Sequence, residues 1–335
     1  MPKKPEKPDI GGQAVLEGVM MKAPDAIAIA VRKPNGRIAV RRDRYTPLSE
    51  KHPWMGWPVV RGIINMATML AMGMNTLDKS AQMLGTMDEE PSRFEKWLSE
   101  KLGKSIDKVI MAVAIVMAVG LALLLFMVIP SFIGTLINRA VDSLLLVNLI
   151  SGVVRIGILI GYIGLTGLIP DMRRTFQYHG AEHKTIYCHE AGQPLTPENA
   201  QKYSTLHPRC GTSFLLLVMI IAVLLGAVSD QLLHLIFGVE RLSFLGRLAR
   251  SVVLLPLIAG ISYEALKSLA HSNNLLVRAL RWPGLMLQKL TTREPSLEQL
   301  EVAIAAFKAA AGGAEGTVIA EGIVVETEGA DAENA

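Results

Sequence analysis

Tyr178 to Glu190 reads YHGAEHKTIYCHE. This stretch holds His179, His183 and His189, with Glu182, Glu190 and Cys188, in a chain that has only 7 histidines and 2 cysteines. On a helix, steps of about 100° place His183 about 40° and Glu182 about −60° from His179, so the three share one face. His-x-x-Glu-His is the spacing of an inverted zinc-protease motif, in which two imidazoles bind the metal and the carboxylate acts as general base toward metal-bound water. Cys188 falls about 180° away on the same wheel. His189 points back toward the His179 face but lies about 9 Å further along the axis, too far to share an ion with His183 unless the chain bends.

Downstream, STLHPRCGTSF adds His207 and Cys210 as His-x-x-Cys, a spacing that grips zinc from a tight turn. The residues thus favour a divalent metal, zinc first, over a solvated or merely buried histidine face. Two arrangements compete. In a catalytic one, His179 and His183 hold the ion, Glu182 activates water, and His207, Cys210 or Glu264 completes the ligand set. In a structural one, Cys188 or His189 joins His207 and Cys210 in a closed site. A catalytic ion keeps an open position and a structural ion does not.

The elements that must position these residues are mostly apolar. The chain has 335 residues, 50% hydrophobic and 19% charged, a balance that points to the membrane class. Val109–Asn138 and Cys210–Ser229 carry no Asp, Glu, Lys or Arg, and Ser143–Pro170 carries only Arg155. With a weaker stretch, Leu248–Ala270, these predict four transmembrane helices. The expected fold class is mainly α, a polytopic membrane protein of about four spans plus interfacial helices, with a small N-terminal β-hairpin element. Residues 1–9 read as a basic disordered start without a signal-peptide core. Residues 10–58 read as the β element and an interfacial connector, 59–107 as an interfacial Met-rich helix and charged linker, and 108–270 as the membrane domain. Residues 271–310 read as amphipathic helices, and 311–335 as a mobile acidic tail.

Within the first of these, Ala26–Arg32 and Arg37–Arg42 read as strands joined by Pro34-Asn35-Gly36, since Asn-Gly takes the positive φ of tight turns. Gly11–Gly18 reads as a tight loop from which Glu17 can approach the histidines. Ser296 with Gln299 reads as a capping box opening the last helix.

Charge sets the expected orientation. Arg173, Arg174, Lys184, Lys202 and Arg209 fall in the loop 171–212, and both termini are basic near the spans. The positive-inside rule then puts the termini and this metal-motif loop in the cytoplasm, in the plasma (inner) membrane. A reducing compartment argues against a structural disulfide. The expected partners are the lipid bilayer and an acidic cytoplasmic partner; a net charge of +4 is too small to suggest sequence-specific nucleic acid. Arg155 lies about 24 Å from Asp171, and Asp230 about 25 Å from Ser213. Similar depths predict an Arg155–Asp230 pair. A transporter built on that pair is the weaker reading, because no inverted repeat is evident.

GGQAVLEGVMM, VVRGIINM, RRTFQYHGAEHKTI, HPRCGTSF, ISYEALK and REPSLEQLEVAIAA together resemble the YqhQ-like family, domain of unknown function 1385, from about Gly11 to Ala310. The resemblance implies a bacterial multi-pass membrane protein of a family labelled predicted metal-dependent enzymes. It carries the motif onto His179, Glu182, His183, His207 and Cys210. The leading expectation is a membrane-bound metal-dependent hydrolase acting on a peptide bond or a lipid-linked substrate. The alternative is a non-catalytic scaffold or assembly factor with a structural zinc site.

Overall fold

The computed structural model describes residues 10–47, 52–85, 106–141, 143–239, 242–270, 274–312 and 323–327. Five strands, β1 (Gly11–Val15), β2 (Gly18–Lys22), β3 (Ala26–Arg32), β4 (Ile38–Arg44) and β5 (Ile323–Thr327), form one sheet in that order. The helices are α1 (Val60–Leu84), α2 (Ile106–Leu123), α3 (Ile129–Ile137), α4 (Leu144–Thr166), α5 (Pro170–Glu190), α6 (Pro197–Gln201), α7 (Gly211–Phe237), α8 (Phe244–Ala270), α9 (Leu275–Thr291) and α10 (Leu297–Ala311). A π-helical segment, Leu124–Val128, joins α2 to α3. Among the described residues, four helical stretches are long and apolar enough to cross a membrane: Ala112–Ile137, Leu145–Thr166, Leu215–Phe237 and Phe244–Ser268. Large apolar side chains such as Val116, Leu145, Leu235 and Val253 are exposed along them, as helices that face lipid require.

The chain divides into two compact units. The first comprises Met1–Gly85, Ile163–Leu217 and Ala259–Ala335. Its sheet follows from period-2 alternation. Val19 and Met21 of β2, Ala28 and Ala30 of β3, and Ile38 and Val40 of β4 pack on one face with Tyr178, Ala181 and Cys188 of α5 and Leu300, Ala303 and Phe307 of α10. Met20, Ile29, Val31 and Ala39 face the other way and meet Met72 and Met83 of α1. The sheet therefore lies between α5 and α10 on one side and α1 on the other.

The hairpin expected around Asn35-Gly36 is present, with Gly36 at φ 80° and β3 paired antiparallel to β4. Several expectations are corrected. Gly11–Lys22 is a further hairpin, not a loop: β1 pairs with β2 across Leu16-Glu17, and Glu17 takes the left-handed conformation at φ 48°. The tail is not wholly a mobile segment, because β5 pairs parallel to β4, Ile38 opposite Ile323; its other residues from 313 on lie outside the described residues. Residues 1–9 and the linker between α1 and α2 also lie outside them. The expected loop 171–212 is largely helical, as α5 and α6. The amphipathic helix α10 packs into the core. Ala303, Ala305, Ala306, Ala309 and Ala310 are buried, small enough for close packing on the sheet, and Ser296 and Gln299 form the expected capping box. On α1, Met72 and Met83 pack on the sheet while Met69, Leu70, Met74 and Leu77 stay exposed.

The second unit comprises Thr86–Tyr162 and Val218–Ile258. Here the expected Arg155–Asp230 pair is absent. Asp230 accepts a 2.8 Å hydrogen bond from Asn148 Nδ2 and pairs with Arg250. Equal depth on α4 and α7 does not exclude a nearer partner on α8. Asp230 lies about 10 Å before the end of α7 and Arg250 about 9 Å after the start of α8, so the short connection between them brings this pair level.

Candidate metal centre

The site belongs to the first unit and begins with α5. Its three motif residues share a face, as the helical phase requires, and all three are buried. What fixes their chemistry is backbone. His179 Nδ1 lies 2.8 Å from the carbonyl oxygen of Thr291, and His183 Nδ1 is hydrogen-bonded to the carbonyl oxygen of Thr205. A carbonyl only accepts, so both imidazoles carry their proton on Nδ1 and present a bare Nε2. This is the arrangement by which second-shell carbonyls orient metal-binding histidines. His183 Nε2 is buried with no hydrogen-bond partner among the described residues.

Both Nε2 atoms converge on Cys210. The ligand atoms of His179, His183 and Cys210 all lie within 4.8 Å of one another, and His179 Nε2 is 3.2 Å from Cys210 Sγ. Cys210 directly precedes α7, and its Sγ accepts from the amide of Thr212 at 3.4 Å. Glu182 Oε2 lies 3.8 Å from His179 Nε2 and 3.9 Å from His183 Nε2, and Glu182 is only 4% exposed. Ligand atoms around a tetrahedral zinc ion sit roughly 3.3–3.8 Å apart. Two imidazole lone pairs, one sulfur and a buried carboxylate form a set of Lewis bases that suits a zinc-type ion in softness. Such an ion would be held by His179, His183 and Cys210, with Glu182 beside its remaining position.

Close approaches hold this arrangement. The residues after α9 cross α5 at Gly180, where a Cβ would overlap the carbonyl oxygen of Arg293. Arg293 N donates to Phe176 O at 2.9 Å on the same helix. The crossing brings Thr291 O to His179. On the other side, fully buried Gln288 clamps His207: its Oε1 accepts from His207 N at 2.8 Å and its Nε2 donates to His207 O at 2.7 Å. That clamp fixes the segment carrying Thr205 and Cys210. Gly12 of β1 closes over Glu182, since a Cβ there would lie 3.0 Å from Glu182 Cγ and 2.6 Å from Met20 O. Sequence reading missed Gln288, Thr205, Thr291 and Gly180. Two act through carbonyls, which no side-chain motif records, and the other two through contacts distant in sequence.

The other expected residues lie elsewhere. His207 stands behind His183, ring centroids 5.6 Å apart, but its Nε2 faces Glu190 Oε1 at 3.4 Å and its Nδ1 accepts from the amide of Arg209. That Nε2 approaches the Glu190 carboxylate without a well-aligned hydrogen bond, and His207 stands outside the His179, His183 and Cys210 group. Burial alone would raise the Glu190 carboxyl, but His207 and Arg209 outweigh it and hold it below the usual range. Cys188 faces the sheet core, with Sγ 3.5 Å from Pro194 O. His189 packs on Phe307 at 4.7 Å between ring centroids. The closed set of Cys188 or His189 with His207 and Cys210 is therefore not assembled. Glu264 is not at the cluster either: Arg61 holds it by a two-pronged ion pair at 2.6 and 2.5 Å. Glu17 pairs with Arg174 and accepts from Tyr178 Oη at 3.3 Å, rather than reaching the His179, His183 and Cys210 group. Burial first, then Glu17, pushes the Tyr178 phenol up.

A polytopic helical chain with a five-stranded sheet and a buried His/His/Cys/Glu cluster is the class that fold and site define. The chain belongs to the family described as Protein of unknown function (DUF1385), whose model matches residues 57–312. It is 34% identical over 314 residues to Uncharacterized protein YqhQ of Bacillus subtilis (strain 168), covering 92% of this chain and 93% of that protein. No solved structure matches it.

Proposed function

We propose that the protein is a membrane-bound metal-dependent hydrolase, with one zinc-type divalent ion on His179, His183 and Cys210. One observation carries the reading. Two imidazoles locked with bare Nε2 atoms inward meet a cysteine sulfur, and a buried carboxylate stands within 4 Å of both. When bound, the ion would lower the pKa of a coordinated water and polarise a carbonyl. Glu182 is placed to take the proton from the attacking water and return it to the leaving group. His179 and His183 are kept in one tautomer by Thr291 and Thr205 throughout. The basic residues of 171–212 support a site on the cytoplasmic side of the plasma membrane, which suits a scissile bond in a membrane protein or a lipid-linked ester or amide.

A structural ion is the second reading, favoured by the 4% exposure of Glu182, which would then serve as fourth ligand in a scaffold protein. Glu182→Gln separates the two. Metal-loaded protein is incubated with membranes in ¹⁸O-water, and products are searched for new ¹⁸O-carboxylates. Hydrolysis predicts label with wild type and loss of at least 100-fold with Glu182→Gln at unchanged metal content. No labelled product from fully metal-loaded wild type would overturn the hydrolase.

A further inference from the structure

The second unit contains a cationic cluster that none of the foregoing uses. Arg155 of α4 and Arg247 and Arg250 of α8 line one pocket, and Arg250 pairs with the carboxylate of Asp230 of α7. Asp230 is already engaged by Arg250 and by Asn148. Arg247 is 3% exposed, with its Nε on the carbonyl oxygen of Leu242 at 3.4 Å. Arg155 Nε is buried with no hydrogen-bond partner among the described residues. The Nε of Arg250 and the hydroxyl of Ser131 are buried and unpartnered as well. A guanidinium does not shed its proton in a protein. Three cations and one anion leave an excess of two positive charges inside helices built to face hydrocarbon. Such charges are costly in a bilayer unless a counter-charge meets them.

The space beside them has the matching shape. A cavity of about 140 Å³, room for an acid group and the first carbons of a chain, has Arg155 and Arg250 at one part of its wall. Phe126, Met127, Met219 and Leu254 make the rest apolar. A polar pocket lined by Ser131, Asn148 and Ser151 shares the same two arginines. A free inorganic anion would satisfy the arginines and leave the apolar wall uncovered.

We propose that this cavity binds an anionic amphiphile, its phosphate or carboxylate on Arg155 and Arg250 and its hydrocarbon chain along the apolar wall. The bound acid group supplies the counter-charge that Asp230 alone does not.

The test uses the full chain in a neutral detergent and reads Tm with phosphatidylglycerol, oleate, phosphatidylcholine or inorganic phosphate. Phosphatidylglycerol or oleate at about 100 times its Kd raises Tm by several degrees, and phosphatidylcholine and inorganic phosphate do not. A shift with phosphatidylglycerol alone assigns a headgroup phosphate, and one with oleate alone a fatty carboxylate. Arg155→Gln loses at least half of the shift. Ala222→Phe, which fills the cavity and keeps every charge, loses it too and serves should Arg155→Gln fail to fold. Equal shifts from phosphatidylcholine and phosphatidylglycerol would overturn the proposal. So would a shift with inorganic phosphate alone, no shift with any ligand, or an undiminished shift in a folded variant.

Discussion

His179 Nε2 lies 3.2 Å from Cys210 Sγ, across 31 residues of chain. An imidazole lone pair and a sulfur at that distance are spaced as two ligands of one ion. Replacing the thiol by a hydroxyl removes the soft donor. Cys210→Ser should lower metal affinity by at least about tenfold. Cobalt(II)-loaded wild type should show a sulfur-to-cobalt charge-transfer absorption that Cys210→Ser lacks.

Gly180 and the Arg293 carbonyl make a contact that no side chain can enter. Gly→Ala within a helix ordinarily stabilises by about 1 kcal/mol. Here the sign reverses, because the new methyl displaces the Arg293 segment. Gly180→Ala should destabilise by about 3 kcal/mol in denaturant unfolding. It should also weaken metal binding about tenfold, as Thr291 O leaves His179 Nδ1.

Asp43 links the sheet to α1 through Lys79 Nζ at 2.7 Å, with Arg41 Nε at 3.1 Å. Burial alone would raise its carboxyl; Lys79 and Arg41 more than offset that and hold it below the ordinary value. A depressed folded pKa stabilises fully above the unfolded value, about 3.9, and that stabilisation disappears as pH falls through the lower folded value. Asp43→Asn should therefore cost on the order of 1 kcal/mol at pH 7 and progressively less below about pH 4. Unfolding midpoints of the two proteins measured across that range check this.

The two cysteines should react differently. Burial pushes the Cys188 thiol up, and its side chain lies in the sheet core. In native metal-free protein, maleimide should label Cys210, 8% exposed, faster than Cys188, at 0%, and zinc should protect Cys210. Equal labelling of both would contradict the placement of Cys188.

Glu264 tests the ligand set from the other side. Its carboxylate is engaged by Arg61, so Glu264→Gln should leave the metal content of the purified protein unchanged. Loss of metal on that substitution would return Glu264 to the site.

The helical phase of Tyr178–Glu190 was legible from spacing alone, including the turning away of Cys188, because a 3.6-residue period depends on nothing distant. The β3–β4 turn was legible through Asn35-Gly36. The β1–β2 hairpin was not, because Glu17 occupies a left-handed position that carries no glycine signature. That Cys210 rather than His207 stands with His179 and His183 depends on the Gln288 clamp, 81 residues away from His207, and on Gly180 beneath Arg293. Matching depths could not identify the partner of Asp230, since depth leaves open which of several helices stands beside it.

The most direct test is elemental analysis of the detergent-purified chain after zinc reconstitution, wild type beside His183→Ala and Cys210→Ala. The account predicts about one zinc ion per wild-type chain and loss in both variants, with folding verified by circular dichroism. No metal in the reconstituted wild type, or equal metal in all three folded proteins, would contradict it.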